Sequence, residues 1–153
     1  HKVVVYKLKG DLVHHHLLPL AALGGLEAVL DDARASTGPA DEQLEFVLRG
    51  TIKVLTERLP FVTLLLRLRG NTEIERDALS RRREFDHRVA RLVDAARTEG
   101  TLRSDIDPRT TTRLLFGTIN SIVDWYKPGG PISPDKLADD VISMMFDGLH
   151  SRS

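Results

Sequence analysis

Residues 117–133 read GTINSIVDWYKPGGPIS, and this stretch says most about how the chain folds. An apolar helical segment runs into the only tryptophan, Trp125, and one of the two tyrosines, Tyr126. It then stops hard at Lys127-Pro128-Gly129-Gly130-Pro131, where neither proline can continue a helix. Two devices flank the stop. Upstream, Asp107-Pro108 is a cap followed by proline at the first helical position, which opens a helix to Tyr126. Downstream, Ser133-Pro134 repeats the pattern and opens a helix to about Leu149. The stretch is therefore predicted to be a corner between two helices.

Outward from this corner, helical periodicity dominates. A first helix is expected from Asp11 to Ala35, capped by Asp11 and kinked at Pro19. Ser36 to Ala40 is a loop. Asp41 is expected to cap a second helix that ends near Leu59-Pro60. Pro60 suits the first turn of a short third helix, apolar on nearly all sides and so expected to be buried. Gly70-Asn71-Thr72 ends it and caps a long fourth helix, to Glu99-Gly100. The one alternating run is Val3-Val4-Val5-Tyr6, which is short. The fold class is all-α, a bundle of about six helices with short connections. Residues 11–150 form the domain, and residues 1–10 are a linker or remnant.

The bulk numbers exclude several classes. With 153 residues there is enough chain for one domain with a real core. Lys+Arg and Asp+Glu both number 22, so the net charge is zero, and a surface built wholly for nucleic acid is excluded. There is no cysteine, which removes disulfides and thiolate metal sites and suits a reducing cytoplasm. No apolar run approaches the ~20 residues of a membrane span, and no signal peptide is evident.

Two kinds of helix are present. On the fourth, Ile74, Ala78, Phe85, Val89, Leu92 and Ala96 fall within about 60° of each other, the stripe of a helix with one buried face. On the last two helices the apolar residues sweep about 200°, twice what one packed face needs. Such an arc marks either a helix surrounded by its own domain or a subunit interface. The second is preferred: the last two helices of each protomer would make a four-helix contact across a two-fold axis. Its expected residues are Leu115, Ile119, Ile122, Tyr126, Val141, Met144, Met145 and Leu149. Trp125 and Tyr126 both fall inside the wide arc, on the packed side.

Chemistry-bearing clusters are sparse. His14-His15-His16 cannot converge on one ion, because consecutive helical positions point about 100° apart. No metal site, cofactor or catalytic residue is expected, for no phosphate loop, nucleophile elbow or HExxH motif occurs. The chain is read as not an enzyme. Within Arg81-Arg82-Arg83, Arg82 falls inside the apolar stripe of the fourth helix. It is either a solvated residue whose stem covers apolar surface, or an anchor for an anionic head at the mouth of an apolar pocket. Arg113 and Asn120 share the polar side of the fifth helix, as pocket groups or as plain surface.

The order of elements resembles the effector-binding domain of TetR-family transcriptional repressors. The similar pieces are residues 117–133, then Asp135-Lys136-Leu137-Ala138, then the closing Phe146-Asp147-Gly148-Leu149. The resemblance implies a homodimer whose small-molecule pocket lies among the second to fifth helices. Phe61, Leu64, Leu65, Leu68, Arg82, Phe85, Val89, Phe116 and Asn120 are the expected lining. The apolar lining points to an effector with an apolar body, and the head expected to meet Arg82 is a carboxylate or a thioester-phosphate. In the family a three-helix DNA-reading head precedes this domain. Here Tyr6 to Leu12 looks like a compressed form of the joint to that head, with Tyr6 and Lys9 as at most phosphate contacts. DNA partnership is therefore expected through a missing or incomplete head. The alternative is a helical protein-interaction module without a small ligand.

Overall fold

A computed structural model describes residues 12–151. It contains six helices: α1 (Leu12–Ala35), α2 (Ala40–Glu57), α3 (Leu59–Leu66), α4 (Glu73–Thr98), α5 (Pro108–Trp125) and α6 (Pro134–Leu149). The all-α class and the order of elements match the sequence pattern. Asp11, Tyr6, Lys9 and the Val3–Tyr6 run lie outside the described residues, as do the side chains of His14 to His16 and Pro19. The helical backbone of α1 runs without a break through Pro19.

Three of the expected starts are capped as the sequence suggests. Thr72 Oγ1 accepts from Glu75 N at 3.1 Å, and Glu75 Oε2 accepts from Thr72 N at 3.1 Å, a complete capping box on α4. Asp107 Oδ1 accepts from Arg109 N at 2.8 Å ahead of Pro108. Ser133 Oγ accepts from Lys136 N at 3.1 Å ahead of Pro134. The start of α2 differs. Asp41 lies within its first turn rather than at the cap, which is Pro39. The Ala40 N–H, left without a side-chain cap, donates instead to Glu99 Oε1 at 3.0 Å. A carboxylate at the end of α4 thus replaces the local cap, while Asp41 and Glu42 favour the positive end of the helix dipole.

The core runs through the middle of the bundle. Leu23, Leu44, Leu48, Ile52, Leu55, Leu65, Val89, Val93, Ile119 and Ile122 are fully enclosed. On α4 the buried face is Ala78, Phe85, Val89, Val93 and Ala96. Ile74, expected on this stripe, is exposed in the first turn, and Leu92 is only partly covered while Val93 faces the core. The short α3 is less buried than its composition suggests: only Val62 and Leu65 are enclosed. It lies against α1 and the rest of the core on one side, so its remaining side chains form a partly covered shoulder.

Polar ties fix the outer helices. Arg81 grips Glu27 bidentately through Nε and Nη2, with Nε to Oε2 at 3.1 Å, and Arg88 reaches Asp31 at 2.9 Å, so α4 is held to α1 at two points. Arg49 and Asp139 join α2 to α6 at 2.7 Å. The end of α6 is fastened by Arg103 N donating to Leu149 O at 2.7 Å and by Ser151 Oγ donating to Gly100 O at 2.8 Å. Gly100 turns α4 into this junction with φ +84°, a conformation costly for a side chain.

The corner between α5 and α6 separates its two aromatics. Tyr126 is buried, and its hydroxyl donates to Ile132 O at 3.2 Å, bracing the loop. Trp125 is 51% exposed, so the expectation that both sit on the packed side holds within the protomer for Tyr126 only. The chain leaves the helix at Tyr126, so the ring of Tyr126 folds back beneath the loop while Trp125 keeps its helical direction outward.

Candidate functional site

Five helices leave a small gap where they meet. Leu26 of α1, Thr51 and Leu55 of α2, Val62, Leu65 and Leu66 of α3, Arg82, Phe85 and Asp86 of α4, and Phe116 and Asn120 of α5 surround it. The space is about 30 Å³, about the share of one water molecule in the liquid. Phe85 and Phe116 close one side, with ring centroids 5.6 Å apart at 53°, the tilted arrangement that aromatic quadrupoles prefer.

Polar groups converge on the wall of this gap. Arg82 Nη1 donates to Leu65 O at 3.3 Å, in the last turn of α3. Arg82 therefore ties α4 to α3 as well as lining the gap. Asp86 lies one turn further along α4. Burial raises its carboxyl above the ordinary aspartate range, against the attraction of Arg82 and His87.

A larger cleft lies on the other side of that wall. It runs between α4 and α5 and is lined by Arg83, Asp86, His87, Ala90, Arg109, Thr112, Arg113, Phe116, Gly117 and Asn120. Its volume is about 390 Å³, within the ~300–1,000 Å³ of small-molecule sites. Asp86, Phe116 and Asn120 border both spaces, so these three side chains form the partition. A Cβ placed on Gly117 would meet nothing within 4 Å, which keeps the cleft open at that turn.

Of the residues predicted to line a pocket, the structure brings together Leu65, Arg82, Phe85, Phe116 and Asn120. It does not bring Phe61, Leu64, Leu68 or Val89 to the gap. Val89 is sealed in the core one turn beyond Phe85, while Phe61 on α3 and Leu68, two residues past its end, are partly buried against the core elsewhere. Leu64 is half-buried away from the lining. Asp86 is the group that sequence reasoning missed. Its signal was legible: at about 100° per residue it falls near Val93 and within about 60° of Val89, an acid inside an apolar stripe. Arg113 and Asn120, paired by their spacing, do share the cleft.

The residues expected at a subunit interface divide differently. Leu115, Ile119, Ile122, Tyr126, Val141 and Leu149 are already buried inside the chain, and Met145 is half-buried. On α5 and α6 the uncovered apolar surface belongs to Met144, 70% exposed, with Leu114 at 63% and Trp125. Leu114, Thr118, Ser121 and Trp125 follow one another along α5 at helical spacing. A groove of about 220 Å³ between α5 and α6 is lined by Leu114, Leu115, Thr118, Met145, Gly148 and Leu149, among others. A wide arc on a helical wheel cannot tell the half that faces the chain's own core from the half that remains open.

Among the described residues no three metal-ligating side chains gather, and no helix is long and apolar enough to cross a membrane.

The fold and its adjoining cavity and cleft define a class: an all-helical domain that encloses space between its central helices and leaves a helix-pair face uncovered. Residues 37–149 match the family described as tetracyclin repressor-like, C-terminal domain. The structure is similar to that of SCO3833, a TetR transcriptional regulator family member from Streptomyces coelicolor A3, with 44% identity and a TM-score of 0.84 over 98% of this chain and 76% of that one. This chain belongs to the TetR family of transcriptional regulators. A 68-residue segment, 44% of the chain, is 37% identical to the HTH-type transcriptional repressor KstR2 of Rhodococcus jostii (strain RHA1). That segment spans only a third (33%) of the Rhodococcus protein's length. The ketosteroid transcriptional regulator KstR2 of Mycobacterium tuberculosis shares the fold, with a TM-score of 0.84 at 20% identity over 95% of this chain and 80% of that one.

Proposed function

We propose that this chain is the effector-binding and dimerisation part of a ligand-responsive transcriptional repressor working in the bacterial cytoplasm. The observation that carries the proposal is the shared partition: Phe116, Asn120 and Asp86 stand between an apolar gap and an open polar cleft. At about 30 Å³ the gap admits no drug-sized molecule as it stands. An effector with an apolar body enters from the cleft by moving Phe116 away from Phe85. Moving Phe116 shifts α5, because Phe116 is part of that helix's buried face. The effector thus favours an expanded state over the closed one, and only that difference in affinity can drive a response. Repression rests on a DNA-reading head N-terminal to this domain, whose spacing in a homodimer follows the position of α5 and α6. The dimer forms through Leu114, Trp125 and Met144 rather than through residues already enclosed. The role of KstR2 as a ketosteroid transcriptional regulator supports a rigid apolar effector as one member of the class to be screened.

A thermal-shift screen with fatty acids, their thioesters and steroid-like acids tests the pocket. Stabilisation by an apolar acid, lost in Phe116→Trp, is the expected result. The second reading is a helical protein-interaction module without a small ligand, and the closed gap favours it. No stabilisation by any apolar acid, together with a gap that stays closed, decides for that module.

A further inference from the structure

We infer that the α4–α5 cleft is a binding site for a phosphate group, held by Arg83, Arg109 and Arg113. The inference rests on the effector proposal only in placing an apolar body behind the cleft; the anion site stands on its own geometry. Arg83 and His87 are one turn apart on α4, and Arg109 and Arg113 are one turn apart on α5. An arginine–histidine pair and an arginine–arginine pair therefore line the two sides of one groove. Their state differs from that of neighbouring arginines. Arg81 and Arg88, on the same helix, are spent on Glu27 and Asp31. Arg83, Arg109 and Arg113 form no ion pair among the described residues. The cleft's one acid is Asp86, which burial drives toward its neutral form.

Three guanidinium groups exceed what one carboxylate can use. A phosphate offers three terminal oxygens and up to two charges, and arginine forks match that geometry. The phosphate arrives either as the head of an amphipathic effector whose body passes Phe116, or as a small free organic phosphate.

The test is isothermal titration calorimetry with four probes: dodecyl phosphate and dodecanoic acid below their micelle concentrations, dodecanol below its solubility limit, and inorganic pyrophosphate. Dodecyl phosphate is expected to bind more tightly than dodecanoic acid, and that more tightly than dodecanol. In Arg109→Gln/Arg113→Gln the phosphate affinity falls about five- to thirtyfold, the range for exposed guanidinium–phosphate contacts after solvent screening. Dodecanol affinity stays unchanged in the same variant. Arg91→Gln, exposed outside the cleft, is expected to leave every affinity as it was. Pyrophosphate bound by the native chain and lost in the double variant identifies a free phosphate as sufficient. Dodecyl phosphate binding more tightly than dodecanol, with no pyrophosphate binding, identifies the amphipathic head. If dodecanol fails to bind, the effector pocket fails, and pyrophosphate still decides the anion site. Equal affinity for dodecyl phosphate and dodecanol with no pyrophosphate binding, or a phosphate preference that survives the double variant, overturns the inference.

Discussion

Met144→Glu should split a homodimer while leaving the protomer folded. Met144 is 70% exposed in the protomer, so its loss removes little from the chain's own core. Burying a whole methionine or leucine side chain is worth about 1.5–3 kcal/mol, so covering the exposed 70% of Met144 contributes about 1–2 kcal/mol. A two-fold axis counts each substitution twice, giving about 2–4 kcal/mol per dimer. At about 1.4 kcal/mol per tenfold, the dissociation constant rises about thirtyfold to nearly a thousandfold. Desolvation of the glutamate at the contact acts in the same direction. Glutamate is as good a helix former as methionine, so α6 should persist. Sedimentation velocity over a concentration series reads the change, with far-ultraviolet circular dichroism as the check on folding. Ile119→Asp is the contrasting variant. Ile119 is 0% exposed, so a charge there should unfold the chain rather than dissociate it. A Met144→Glu protein with native mass and unchanged dissociation constant would refute the placement of the interface.

Other outcomes follow from the same contacts. Asp86→Asn should stabilise the protein at neutral pH. Burial raises the folded-state pKa of Asp86, so its ionisation costs stability that grows as pH rises from the ordinary aspartate range of about 4 through the folded value. The gain from asparagine should therefore vanish below about pH 4 and grow as pH rises through the folded value, read from urea midpoints across pH; a gain that is flat with pH would show that burial is not its cause. Thr72→Ala breaks the capping box on α4 and should cost about 1 kcal/mol, lowering Tm by about 2–4 °C in calorimetry. Glu99→Ala should leave the Ala40 N–H without its acceptor and fray the start of α2, visible as faster amide exchange over residues 40–43 while α4 stays protected.

The helices were legible because their punctuation is local. Thr72 with Glu75, Asp107 with Pro108 and Ser133 with Pro134 each carry their own stop or start within four residues. The exception, Asp41, fails for a non-local reason: Glu99 arrives from another helix and takes over the capping role. The site was half legible. Phe85, Phe116, Leu65, Arg82 and Asn120 follow from apolar stripes and their polar interruptions. Leu26 and Thr51 do not, because nothing in a single helix says which of its buried residues will border a gap left by four others. The interface residues show the same limit. Ile119 and Leu114 both lie on the wide arc of α5, yet one is sealed by the chain's own helices and the other is left open.

Methyl NMR of the leucine- and valine-labelled protein, titrated with dodecanol, dodecanoic acid and a steroid-like acid, is the most direct examination of the effector pocket. Binding should move the methyl signals of Leu26, Leu55, Val62 and Leu65 together, with α5 neighbours of Phe116 following, while Leu114 at the open face changes least. Shifts confined to Leu114 and Leu149, with the four cavity methyls unmoved by every probe, would contradict an effector site behind Phe116.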